Sequence, residues 1–61
     1  MGYKKALKCR AMDIREGDTL IGHGLVVAMR NCGGGEVELV TECRGTRSCF
    51  RLPSHKEVVV L

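Results

Sequence analysis

Glycine turns and a single proline cut this chain into short runs, and within each run apolar residues alternate with polar ones. Gly22-His23-Gly24, Gly33-Gly34-Gly35 and the Gly45 turn separate the runs, and Pro53 breaks the last of them. Two glycines around one residue, or three in a row, supply the positive φ values that reverse a chain tightly. A period of two between such turns is the pattern of half-buried strands. The run 25–32 is the clearest, with Leu25, Val27 and Met29 directed to a core and Val26, Ala28 and Arg30 directed away. In 36–43 the glutamates face water, which turns Val37, Leu39, Thr41 and Cys43 inward. The runs 19–22, 48–52 and 56–61 bring the set to five strands, and 7–12 is extended ahead of them.

The chain reaches its first strand through Asp13-Ile14-Arg15-Glu16-Gly17-Asp18-Thr19-Leu20, which reads as one short helical turn. Asp13 is placed to accept hydrogen bonds from amides at a helix start, Glu16 to reach back, and Gly17 to end the turn at positive φ. Ile14 then plugs one end of the core.

Five short strands with compact turns suit a small barrel, which closes its sheet and protects its edges. The order of strand, tight turn, long hairpin, basic turn, strand, proline-centred turn and strand resembles the SH3-like barrels, including the KOW-type modules of ribosomal proteins and transcription factors. It is similar also to the first domain of elongation factor P, where a Gly-Thr-Arg turn joins two strands. The residues that carry the resemblance are 13–20, Leu25-Val26-Val27, the alternation over 37–41, and Gly45-Thr46-Arg47 leading to Phe50. The resemblance implies an all-β fold: a small five-stranded SH3-like barrel over 7–61, with one short helical turn before the first barrel strand; ahead of it 1–6, where Gly2, Tyr3, Lys4 and Lys5 show no sustained apolar pattern, is expected to be a flexible basic arm. The short form is similar, too, to accessory proteins of phages or mobile elements. The aromatic residues that line peptide grooves in signalling SH3 domains are absent, which argues against recognition of proline-rich peptides.

Sixty-one residues with one Phe, one Tyr and no Trp bury a small core made of Val, Leu, Ile, Met and Cys. Stability is correspondingly modest. The net charge of +3 is unevenly spread: Lys4, Lys5, Lys8 and Arg10 place +4 in the first ten residues, and the six basic residues that follow face seven acidic ones. A basic arm on a near-neutral body steers a chain toward phosphate or serves only as a solubilising tail. Arg44, Arg47 and Arg51 form a second basic cluster around the Gly45 turn. No apolar run approaches the roughly 18 residues a membrane helix needs, and no signal peptide is visible, so a cytoplasmic location is expected. Met1-Gly2 begins like a myristoylation site, but Ala6 stands where Ser or Thr is required.

Cys9, Cys32, Cys43 and Cys49 lie 23, 11 and 6 positions apart, without a Cys-x-x-Cys pair or a histidine at zinc-site spacing. A metal would need thiols from distant strands, helped by His23 or His55, and none is expected. Strand parity turns Cys43 inward as a small core residue and Cys49 outward, so a bridge between them would need a bulge. Reduced thiols are expected. The three glycines of 33–35 lack the following helix and the Lys-Ser or Lys-Thr pair of a phosphate loop. His23 has no nucleophile or carboxylate tied to it by spacing. With no catalytic constellation and no cofactor motif, the expectation is a non-enzymatic binding module.

Two partners suit such a module. The first is a protein, with the chain acting as an interaction, accessory or inhibitor subunit through the outward apolar positions Val26, Ala28 and Val59, or as a homodimer across that face. The alternative is RNA or DNA, held by the arm residues Lys4, Lys5, Lys8 and Arg10 and by the turn residues Arg44, Arg47 and Arg51.

Overall fold

The computed structural model describes residues 5–61, so Lys4 and most of the expected basic arm lie outside the described residues. Six strands follow one another: β1 (Leu7–Arg10), β2 (Thr19–Leu20), β3 (Gly24–Gly33), β4 (Glu36–Cys43), β5 (Thr46–Pro53) and β6 (Glu57–Val60). They form one antiparallel sheet in the order β1-β6-β2-β3-β4-β5. The extended run before the expected five strands is thus itself a strand, paired with β6 through Leu7↔Val60, Lys8↔Val59, Cys9↔Val58 and Arg10↔Glu57. Among the described residues no ladder joins the edge strands β1 and β5, so the sheet is open rather than a closed barrel.

Ile14, Leu20, Val26, Leu39 and Val60 form the buried cluster, with Cys9, Met29, Phe50, Leu52 and Val58 packed around it. Every strand contributes to it, so the sheet is curled around its own inner face. Two backbone bonds fix the end of the curl: Ala11 N–H donates to Lys56 O at 2.8 Å, continuing the β1–β6 register, and Met12 N–H donates to Ser54 O, just past β5, at 3.1 Å. Ile14, 1% exposed, plugs this end of the core.

The segment before β2 is built differently from its expected design. The helical turn is a single 3₁₀ turn over Ala11–Asp13, placed earlier; its N-cap is Arg10, and no side chain caps it. The carboxylate that binds backbone is Asp18, whose Oδ2 accepts from Arg15 N–H at 2.9 Å, while Asp18 N–H donates to Arg15 O at 3.1 Å. Gly17, with φ of +96°, is the third residue of that turn. Asp13 loses the capping role because the chain is already extended at Ile14, with φ −67° and ψ 140°.

Two further expectations fail for one reason. Val26 is buried at 1% exposure and Leu25 is 44% exposed, the reverse of simple alternation. The β3–β4 register runs Leu25↔Glu42, Val26↔Thr41 and then Ala28↔Val40, leaving Val27 as the extra residue of a bulge. A bulge resets which face successive residues occupy. Beyond it Ala28 and Arg30 are exposed and Met29 packs on the core, in the expected phase. Cys43, placed in the core by parity, is exposed because it ends β4 beside the turn, past the last inward layer.

Candidate functional site

Two residues, Arg44 and Gly45, connect β4 to β5, and both have positive φ, +53° and +80°. That is the type I′ geometry which matches the twist of a hairpin. In a two-residue hairpin the flanking pair, here Cys43 and Thr46, exchanges hydrogen bonds, and bonded and non-bonded pairs then alternate along the ladder. Thr46, Ser48, Phe50 and Leu52 therefore direct their backbone groups to β4. Arg47, Cys49 and Arg51 direct theirs away from it, to the free edge of the sheet. Pro53, which has no N–H, stands opposite Glu36 at a position where the ladder needs no donor from it. Among the described residues β5 pairs with no strand but β4.

Side chains on β5 alternate in the same way. Arg47, Cys49 and Arg51 lie on the outer face, each opposite an outer-face residue of β4: Glu42, Val40 and Glu38 respectively. Arg47 Nε is 3.4 Å from Glu42 Oε2, and Arg51 Nε is 3.8 Å from Glu38 Oε1. Glu38 also receives Arg30 Nη2 at 2.7 Å. The Cys49 thiol is pushed above its ordinary range by partial loss of hydration and by the negative charge of Glu38, with Arg30 and Arg51 pulling the other way.

On the inner face Phe50 and Leu52 approach the other side of the curl. The His23 ring stacks on Phe50 with centroids 4.6 Å apart and planes tilted by 33°. Loop position alone did not reveal this contact, since the two residues are distant in sequence and meet only because the sheet curls. An open groove of about 280 Å³ follows this seam, lined by Leu20, Ile21, His23, Leu52, Val58 and Val59 with Lys56 and Glu57 at its rim. Ile21 is 49% exposed there.

The two basic groups read from the sequence lie on different edge strands. Lys8 and Arg10 belong to β1, at one edge of the sheet, with Lys5 just ahead of them; Arg47 and Arg51 belong to β5, at the other edge, with Arg44 in the turn before it. Lys8 Nζ is 3.8 Å from Glu57 Oε1, so Lys8, Arg47 and Arg51 each stand beside a carboxylate. Of the three apolar positions, Ala28 is exposed, Val59 is half-buried at the groove, and Val26 is in the core and cannot touch a partner. Ala28 and Val40 line a second, shallower hollow on the outer face, with Arg30 and Glu38 beside it. All four cysteines are free, and Cys43 and Cys49 stand opposite Thr46 and Val40 in the ladder rather than opposite each other. Among the described residues no three His, Cys, Asp or Glu side chains cluster as metal ligands would, and no helix is long and apolar enough to cross a membrane. Comparison with protein-family models, with curated proteins and with solved structures finds no match for this chain.

Proposed function

We propose that the chain is a non-enzymatic protein-interaction module, an SH3-like barrel design left open at one seam, that takes a strand of its partner onto β5. The free edge of β5 carries this reading. Edge strands with unpaired N–H and C=O groups are templates for another chain, and an added strand gains main-chain hydrogen bonds along its length. The groove beside that edge offers apolar surface to alternate side chains of the incoming strand. The same seam suits an accessory or inhibitor subunit that docks on an exposed strand of a larger protein in the cytoplasm.

Cys49→Pro tests the reading, because the Cys49 N–H points to the free edge, where proline is tolerated, and the β4–β5 ladder does not use it. The variant folds, by circular dichroism, and loses a partner that the parent chain retains from a nuclease-treated host lysate. A partner retained equally by Cys49→Pro removes the edge from the reading. Nucleic-acid binding through Lys4, Lys5, Lys8, Arg10, Arg44, Arg47 and Arg51 is the second reading, supported by the arginine turn. Capture abolished by nuclease, with labelled oligonucleotide bound at low salt and released at high salt, favours it.

A further inference from the structure

Resting on the reading of β5 as a docking edge, we infer that the strand it accepts is acidic on one face: it carries two carboxylates four residues apart, with apolar residues at the alternate positions. The same three residues, Arg47, Cys49 and Arg51, supply both the outward backbone groups and the outer-face side chains of the edge. A strand paired there sets its outer-face residues directly opposite them. Both arginines contact their glutamates through Nε. That leaves the two terminal nitrogens of each guanidinium, the fork that binds a carboxylate bidentately, without a partner on β4. Their side chains are 69% and 57% exposed, so the forks stand in reach of an incoming chain. Between them Cys49 is small and uncharged and asks for no charge opposite it. The residues facing the other way lie opposite Ser48, Phe50 and Leu52 on the inner face, and the one opposite Leu52 turns toward the groove that Leu52 lines with Ile21, His23 and Val58, where an apolar side chain fits. A second copy of this chain is the poorer occupant: two β5 strands paired antiparallel about Cys49 set Arg47 against Arg51 of the other copy, and like charges directly opposite are destabilising.

The probe is a labelled ten-residue peptide with Glu at two positions four apart and Val or Ile at the inward positions between and beside them. Its binding to the intact chain is read by fluorescence anisotropy at two salt concentrations. A second peptide has Lys in place of both Glu, and a single-stranded oligonucleotide serves as the third ligand. The Glu peptide binds, the Lys peptide binds at least about tenfold more weakly, and the double variant Arg47→Gln/Arg51→Gln removes that difference. Both arginines are exposed, so the double variant keeps its fold, which circular dichroism verifies. Equal binding of the Glu and Lys peptides, abolished by Cys49→Pro, overturns the acidic preference while leaving the docking edge intact. Binding of neither peptide overturns the inference and the edge together. Oligonucleotide binding that depends on Arg47 and Arg51, without peptide binding, assigns these arginines to phosphate instead.

Discussion

Arg44 holds a backbone conformation that side chains with a Cβ seldom adopt: its φ is +53°, and it is the one non-glycine described with positive φ. The left-handed region costs an ordinary residue on the order of 1 kcal/mol, and much less for asparagine, whose side chain bonds locally. Arg44→Asn is therefore expected to stabilise the domain by roughly 0.5–1 kcal/mol, seen as a melting temperature several degrees higher. An unchanged or lower melting temperature refutes the strain argument. Single residues also show where reading by pattern stops. The inward positions Val37, Leu39 and Thr41 were legible, because nothing interrupts alternation within β4, and so was Ile14 as a plug. Asp18 was not, since Asp13 and Asp18 are equally plausible backbone acceptors until the positions of Gly17 and the 3₁₀ turn are known. Cys43 was misplaced because parity says which way a residue points and not whether anything lies in that direction.

At the level of elements, the places of the glycine turns were legible, though the strands run further into them than expected, with Gly24, Gly33, Thr46 and Arg47 inside β3 and β5, and the phase of the longest strand was not. The run Leu25-Val26-Val27-Ala28 is continuously apolar, and such a run contains no polar residue to fix the face; the bulge at Val27 is hidden in it. That bulge moved Val26 into the core and with it one of three proposed contact positions. The glycines of the β2–β3 turn divide by what surrounds them. A Cβ on Gly24 would lie 2.5 Å from Glu42 O and 2.9 Å from Cys43 Cβ, whereas a Cβ on Gly22 would meet nothing within 4 Å. Both glycines have positive φ, +87° for Gly22 and +109° for Gly24. Gly22→Ala is expected to cost about 1 kcal/mol from backbone strain alone. Gly24→Ala must in addition push β3 from the end of β4, and the cost rises to roughly 2–4 kcal/mol. Urea denaturation of the two variants checks the order, and equal costs would show that β4 gives way freely.

Over the whole molecule, the core is thin and the shape elongated. The extents are 41 × 25 × 15 Å and the radius of gyration is 11.3 Å, against about 10.5 Å for a compact chain of this length. Total stability of roughly 3–9 kcal/mol is the ordinary range at this size, so a shift of one or two matters. Cys9 joins the edge strand β1 to that core, and burial, followed by the charges of Asp13 and Asp18, pushes its thiol above the usual range. A thiol with a higher pKa folded than unfolded leaves stability untouched below the unfolded value, about 8.5. Above it the unfolded chain ionises first, and stability falls as pH rises toward the folded value. The difference in stability between the parent chain and Cys9→Val is therefore expected to be constant up to about pH 8 and to change in favour of the valine variant above it. A difference that stays flat to pH 10 contradicts the shift. The openness of the sheet was the least legible feature at this scale. Strand number and turn chemistry are local, whereas closure depends on whether β1 and β5 meet, and no short segment encodes that.

The pairing of β1 with β6 makes the chain nearly a ring. Leu7 and Val60 are cross-strand partners, which places their Cα atoms only about 5 Å apart. A short linker from Val60 to Leu7 would join β6 to β1, and the polypeptide could then be opened elsewhere, most readily at the exposed Gly34-Gly35 tip of the β3–β4 hairpin. In such a rearranged chain β3 and β4 would no longer be contiguous, while β6 would run through the linker directly into β1. The order of the strands in space would be unchanged, and the free edge of β5 would be left where it is.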